Sequence, residues 1–465
     1  MSLPCNALAQ FSTILEGKIS PVASYEVVIE YQYQYLTYQP KRQLLTTNDK
    51  GEFNFNIPLK KSTWLTWKCK DKKGQIYLHV GDSLNMQIDI GKPFSKVKFS
   101  GLGASENNFL WQWEAEFGQT SKNALYPRKY KELKEKNFKN EVEKLRKNQY
   151  KLLEEAIGKK PLSDDFILAL EHRIAYENAN HLAEYPVLHA YLNKQKPQNM
   201  SSSYYSFFEE IVIQTPSALN QTAYLRFLRN YLEFRYTQYH NENYLKAYSN
   251  LYYPLLFEIV EKELQESVQA HAQAILLLEL MGKGDKKLYK KYYQKYIKQH
   301  KEDKSAPVVR EFFEKSEKIS YGKTAPNFLL QDMTNKNVQL SDFKGKVVYL
   351  FFSPLEGFVL NNYLEGFEYL TNQLSRENKQ NKVAFLWIQT EASNISDTEK
   401  EKMGEKCDKL NIIRLPCYFL DTLGYNIHTL PIAFLIDKEG KIAYSTTKLP
   451  TDAGLLEDID YLTKK

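Results

Sequence analysis

The N-terminal part of the chain alternates between polar and apolar side chains. In "SYEVVIEYQYQYLTY", Ile29 and Tyr31 fall on one side of an extended chain, and Glu30 and Gln32 fall on the other. This period of two predicts a strand with one buried face. Further short apolar runs follow at close intervals, separated by glycine and aspartate. Several short strands with regular turn signals predict a β-sandwich over residues 11–104.

The middle of the chain changes to a helical period. In "AYLRFLRNYLEFRYTQY", Leu228 and Leu232 lie on one stripe, and "KKLYKKYYQKYIKQH" places Tyr292 and Tyr296 four residues apart. Apolar and aromatic residues at this spacing indicate helices that bury one face. We therefore predict an all-α region over residues 105–316, with the tyrosine stripes in its core.

The C-terminal third has the pattern of an α/β domain. "KVVYLFF" and "KVAFLWIQT" are continuous apolar runs, as expected for strands buried on both faces. Helical segments lie between them, and "LPIAFLIDKEGKIAYS" reads as two strands joined by a turn at Glu439–Gly440. The predicted domain covers residues 319–465.

Length and composition indicate a globular protein of two or three domains. The chain has 465 residues, of which 43% are hydrophobic and 26% charged. Its net charge is +7, but in runs such as "KYKELKEKNFKNEVEKLRKNQYK" glutamates are interleaved among the lysines, so we interpret such runs as solvated helix faces and expect no nucleic-acid partner. No apolar run is long enough for a transmembrane segment.

The first residues, "MSLPCNALAQ", contain a small-residue pattern that resembles the end of an export signal. Cleavage after Ala9 would start the mature chain at Gln10 and would place the protein in the cell envelope, in the periplasm. The charged and apolar parts of a signal peptide are absent, and no lipobox precedes Cys5. An ordinary chain terminus therefore remains the alternative.

Four cysteines, and no C-x-x-C motif, limit the chemistry. So few thiols exclude a disulfide-built scaffold and a zinc ribbon. The eight histidines are scattered, and no H-E-x-x-H, G-x-S-x-G or phosphate-binding loop occurs. We therefore expect neither a metal site nor a cofactor.

Two ordered motifs carry a family resemblance. "GKTAPNFLLQDMTNKNVQLSDFKGKVVYLFF" and "TLPIAFLIDKEGKI" resemble the entry and exit of the TlpA/ResA-type thiol–disulfide oxidoreductases, thioredoxin-like redoxins of the cell envelope. The resemblance covers Tyr321 to Lys465, and the β-region resembles the lead domain that precedes such redoxins. It implies a thioredoxin-like fold and a cis-proline at Pro431, where Leu430 presents its backbone to an extended peptide.

The sequence departs from this family at the active site. The family pattern places W-C-x-x-C after the central strand, whereas this chain has Gly357, Phe358, Val359 and Leu360 at the four C-x-x-C positions. "FFSPLEGFV" also resembles a peroxiredoxin motif, whose cysteine would fall at or beside Leu360 and is absent too. Thiol–disulfide exchange needs a thiolate nucleophile, which neither glycine nor leucine supplies.

These observations predict a redox-inactive pseudo-enzyme in the cell envelope that binds a peptide or protein partner at Leu430 and Pro431. Two alternatives remain open. In one, the protein is an oxidoreductase that uses a displaced pair, Cys407 and Cys417, which are separated by nine residues in a helix-to-strand segment. In the other, it is a structural component of an envelope assembly. Whether it is an enzyme depends on these two thiols.

Overall fold

The computed structural model of the protein describes residues 12–31, 41–70, 72–91, 96–118, 121, 124–125, 127–196, 200–240, 251–393, 397–417, 420–427 and 430–465. The chain divides into two compact units, Met1–Ala272 and Gln273–Lys465. Within the described ranges, no helix has both the length and the apolar character that a membrane crossing requires.

Eight described strands open the N-terminal unit. They are β1 Thr13–Ser20, β2 Glu26–Tyr31, β3 Lys41–Thr46, β4 Glu52–Ile57, β5 Thr63–Cys69, β6 Lys72–Leu78, β7 Ser83–Asp89 and β8 Lys96–Gly101. One sheet has the order β4-β1-β7-β8, and the other has the order β3-β2-β5-β6. β1 runs parallel to β7, and the other neighbours are antiparallel.

The two sheets share one hydrophobic core. Ile29 and Tyr31 of β2 are buried, as their alternation with polar residues predicted. They belong to the same cluster as Leu15 of β1 and Met86 of β7, which come from the opposite sheet. The apolar faces of the two sheets therefore meet, which is the arrangement of a β-sandwich.

Helices complete the N-terminal unit. They are α1 Ala104–Phe117, α2 Pro127–Glu132, α3 Glu135–Ile157, α4 Asp164–Leu192, α5 Phe207–Glu210, α6 Thr222–His240, α7 Tyr252–Glu263 and α8 Glu266–Gly282, whose last residues belong to the second unit. Many tyrosines lie in their core. For example, the buried Tyr204 donates a hydrogen bond to the carbonyl of Leu182 at 2.7 Å. Such bonds let an amphipathic ring enter a core.

The C-terminal unit contains two further helices, a hairpin and a mixed sheet. Its elements are α9 Lys286–Gln299, α10 Ala306–Lys318, β9 Leu329–Gln331, β10 Asn337–Gln339, β11 Val347–Glu356, α11 Gly357–Arg376, β12 Val383–Ser393, α12 Asp397–Lys409, β13 Ile412–Pro416, β14 Ile432–Ile436, β15 Ile442–Tyr444 and α13 Leu455–Lys464. The five-stranded sheet has the order β13-β12-β11-β14-β15. β11, β12 and β13 are parallel, and β14 is antiparallel to β11.

Both faces of this sheet are buried, as its continuous apolar runs predicted. Tyr349 and Phe351 of β11 point into one cluster, which we call the helix-side core and which is closed by α11, α12 and α13. Leu350 and Phe352 point into a second cluster, the loop-side core, which includes residues of the hairpin and of the segment 420–427. The predicted combination of β-sandwich, helical region and thioredoxin-like α/β domain is confirmed.

Candidate functional site

The central strand β11 leads directly into helix α11. β11 ends at Glu356 and α11 begins at Gly357, so the four positions of the missing C-x-x-C motif form the first turn of the helix. The amide N–H groups of a first helical turn have no partner within the helix, and they favour negative charge. A thiolate would be stabilised there, but no thiol is present in this turn.

Leu360, at the second cysteine position, is a core residue. Its side chain is 5% exposed and belongs to the helix-side core, together with Tyr363 and Phe367 from the next turns of α11. The side chain therefore points towards the sheet. The position contributes to packing, and it offers no reactive atom to a substrate.

A small polar cluster lies beneath the junction of β11 and α11, which we call the corner. Ser353 of β11 is fully buried, and its hydroxyl accepts a hydrogen bond of 2.8 Å from Trp387 Nε1 on β12. Gln389 of β12 is opposite Ser353 and is also buried. Its Nε2 has no hydrogen-bond partner among the described residues. Neither group titrates near neutral pH and both are buried, so this cluster supplies no acid or base and no nucleophile that a substrate could reach.

The Leu430–Pro431 peptide bond is cis. Pro431 directly precedes β14, whose Ile432 pairs with Phe352 of β11. Continuing this register by one residue places Pro431 beside Ser353, at the end of β11 where α11 begins. The structure thus brings Pro431 and the corner to the same edge of the sheet.

The backbone of Leu430 bears on the predicted peptide site. No backbone hydrogen bond of Leu430 occurs among the described residues. The β11–β14 pairing ends at Phe352 and Ile432, so Leu430 lies before the first paired residue of β14. The Leu430 side chain is partly buried and packs against the loop-side core. Its role in binding stays a prediction.

The structure does not bring Cys407 and Cys417 together. Cys407 on α12 lies in the helix-side core, whereas Cys417, after β13, lies in the loop-side core, so the sheet separates the two side chains. Cys407 is a free thiol, and therefore no Cys407–Cys417 disulfide is present. Cys69 belongs to the core of the β-sandwich.

Burial also makes Cys407 a poor nucleophile. Removal from water raises the pKa of its thiol to about 12, because a buried site disfavours the charged thiolate. At neutral pH almost none of this thiol is ionised. Among the described residues, no group of histidine, cysteine and carboxylate side chains could hold a metal ion.

Comparisons with known proteins agree with this architecture. Residues 321–445 match the model of the AhpC/TSA family. Over 141 residues the chain is 30% identical to the thiol–disulfide oxidoreductase ResA of Bacillus cereus, and the match covers 28% of this chain and 72% of the relative. The chain belongs to the ResA-type thiol–disulfide oxidoreductase family. The predicted resemblance is therefore confirmed.

Two further matches extend the comparison. ResA of Bacillus subtilis is 32% identical over 146 residues, which cover 30% of this chain and 75% of that protein. The solved thioredoxin domain of a Bacteroides vulgatus thiol–disulfide oxidoreductase is 20% identical and covers 31% of this chain and 96% of that chain, with a TM-score of 0.24. This ResA-type chain contains no C-x-x-C motif.

Sequence reasoning found the corner, the proline and the empty cysteine positions, but it missed Ser353, Trp387 and Gln389. A weak signal was present, since Ser353 and Gln389 are polar residues at the ends of apolar runs. Their meeting depends on the register of two strands that are far apart in sequence. No local pattern specifies that register.

Proposed function

We propose that the protein is a redox-inactive member of this family that holds an extended segment of a peptide or protein partner beside cis-Pro431. The observation that carries the proposal is the position of Leu360. A core leucine stands where the family motif requires a thiol, while the proline at the same sheet edge is retained. The reaction is missing its nucleophile, but the neighbouring backbone still has groups that can bind.

The chemistry of the remaining thiols supports redox inactivity. A disulfide exchange needs one thiolate to attack and a second thiol to resolve the mixed disulfide. Cys407 and Cys417 point to opposite faces of the sheet, and both are buried. To act as a pair, one of them would have to leave its core cluster.

The backbone at Leu430 supports peptide binding. An extended peptide that adds to a sheet gains its affinity from main-chain hydrogen bonds, and side-chain pockets give specificity. Leu430 and Pro431 are each partly exposed, and the backbone groups of Leu430 have no partner among the described residues. Binding of this kind requires no thiol. An envelope location, which cell fractionation would test, belongs to the same proposal.

The proposal is tested by comparing peptide binding and disulfide reduction in the same preparations. We expect peptide arrays to show spots with the wild type that are lost with Pro431→Ala. Pro21→Ala is the matched control, because Ser20–Pro21 is also a cis bond but lies in the β-sandwich. Circular dichroism checks that both variants are folded.

Insulin reduction with dithiothreitol tests the redox half of the proposal. We expect no turnover above the rate without protein. Turnover that disappears in Cys417→Ser would overturn redox inactivity. Arrays that are empty for the wild type, or identical for wild type and Pro431→Ala, would overturn peptide binding and leave a structural role.

A further inference from the structure

Helix α9 differs from the other lysine-rich parts of the chain because it contains no acidic residue. Its sequence, "KKLYKKYYQKYIKQ", has six lysines in 14 residues. One side of the helix is fixed in the protein interior by the buried Tyr289, Tyr292 and Tyr296. The apolar face of α9 is therefore already occupied, and only its other side faces outward.

Four lysines form a row on that outer side: Lys287, Lys291, Lys295 and Lys298, which we call the outer lysine row. All four are exposed. At 3.6 residues per turn they fall within an arc of about 80° opposite the buried tyrosines. The row extends along about 16 Å of the helix axis, from the rise of 1.5 Å per residue.

Two of the four lysines in this row differ from the lysines on the flank of α9 in their ion pairing. Lys286 and Lys290, on the flank of α9, share Glu317 at 3.3 and 2.9 Å. By contrast, within the described residues Lys287 and Lys298 have no ion-pair partner. Lysines four apart on a helix repel one another. Lys287 and Lys298, near the two ends of the row, thus carry positive charge that an external anion would stabilise.

We propose that the outer lysine row of α9 binds the anionic headgroups of a lipid bilayer. Lysine is a flexible point charge without the planar fork that lets arginine recognise one geometry. A straight row of such charges suits a flat surface of many similar anions, and each lysine near an anionic leaflet adds to the attraction. The helix does not insert, because its apolar face is packed in the core.

The composition of the row disfavours nucleic acid as the partner. Surfaces that bind single-stranded nucleic acid combine positive charge with exposed rings on which bases stack. Here the tyrosines opposite the row are buried, the rings of Tyr293 and Phe313 are stacked with their centroids 3.8 Å apart, and the exposed residue beside the row is Gln294. The row offers charge without a stacking platform.

The experiment is co-sedimentation of the full chain with vesicles of phosphatidylcholine, with and without phosphatidylglycerol. We expect binding only to the vesicles that contain phosphatidylglycerol, and release at about 1 M salt, where the screening length falls to about 3 Å. The triple variant K287Q/K291Q/K298Q should bind about a hundredfold more weakly.

The matched control is K144Q/K147Q/K151Q, which neutralises three exposed lysines of α3, a helix that also carries glutamates. This variant should bind like the wild type. Equal weakening by both triple variants would mean that net charge alone matters and would overturn the proposal. So would the absence of vesicle binding, or binding to a single-stranded DNA oligonucleotide without binding to vesicles.

Discussion

Leu360 is a packing residue at the position where the sequence predicts the second cysteine of the family motif. In the family pattern this place holds the second cysteine, and here it holds a side chain that is 5% exposed between α11 and the sheet. Leucine is larger than cysteine and has no polar atom, so burial stabilises it. At this position the side chain therefore contributes apolar contacts and supplies no thiol.

We predict that Leu360→Ala lowers the free energy of unfolding of the C-terminal unit by about 2–5 kcal/mol, because it leaves a cavity under the first turn of α11. Native-state hydrogen exchange of the β11 amides measures this change. Tyr369→Ala is the control on the same helix, since Tyr369 is 56% exposed, and it should cost less than about 0.5 kcal/mol. Equal effects of the two substitutions would contradict a core role for Leu360.

At the residue scale, the sequence predicts the absence of thiols at given positions better than it predicts the spatial arrangement of the thiols that are present. The motif positions show by identity alone that Gly357 and Leu360 carry no thiol. The separation of Cys407 from Cys417 was not predictable. Nine residues of chain allow either contact or separation, and the direction of each side chain depends on its place relative to the sheet.

His79 connects separate elements of the N-terminal unit. It follows β6, its Nδ1 lies 3.2 Å from Asp165 Oδ2 of α4, and its Nε2 lies 3.7 Å from Glu106 Oε1 of α1. Asp82 also accepts a hydrogen bond from the His79 backbone N–H, and the ring of Tyr77 meets the imidazole edge-on. Three carboxylates therefore surround one imidazole where strand and helices meet.

The same contacts raise the pKa of His79 above its ordinary value of 6.5, mainly through Glu106, with Asp165 and Asp82 adding to the effect and burial opposing it. A raised pKa in the folded state means that the proton stabilises the fold. The contribution is complete below pH 6.5 and is lost as the pH rises through the raised pKa.

We therefore predict that the stability of the N-terminal unit declines as the pH rises above 6.5 through the raised pKa of His79, and that His79→Gln flattens this decline. Urea unfolding at each pH measures it, with hydrogen exchange of β6 and α4 as the local readout. His172→Gln should keep the decline, because burial lowers the pKa of His172. A wild-type profile in the His79 variant would argue against the mechanism.

At the element scale, apolar residues at a period of two or 3.6 predicted most strands and helices, because burial of one face requires this spacing within each segment. The parallel pairing of β1 with β7 produces no comparable pattern in the sequence. It joins strands that are separated by five others, and the same alternation would suit an antiparallel neighbour. Sheet order follows from packing, which no single segment determines.

The C-terminal unit is larger than the α/β pattern alone suggests. Two helices of the predicted middle region, α9 and α10, lie in it. Asn426 Nδ2 donates hydrogen bonds to the Phe312 carbonyl at 3.2 Å and to Ser316 Oγ at 2.9 Å. Thr446 Oγ1 donates to the carbonyl of Gly282 at 2.5 Å. These bonds attach α10 and the end of α8 to the edges of the α/β domain.

We predict that a fragment of residues 273–465 is more stable than a fragment of residues 319–465. The shorter fragment leaves the Asn426 amide without its two partners and removes the buried face of α10, including Val309 and Phe312. Burial of such side chains contributes roughly 1.5–3 kcal/mol each. Thermal unfolding of the two fragments measures the difference, and equal midpoints would mean that α9 and α10 contribute nothing.

The distribution of the thiols has a consequence for the whole molecule. Cys69, Cys407 and Cys417 each lie in a different hydrophobic core. No two of them can meet while the described part of the chain stays folded. An oxidant therefore finds no pair among these three described cysteines, and no disulfide joins any two of them while this part of the chain is folded, in reducing or in oxidising surroundings.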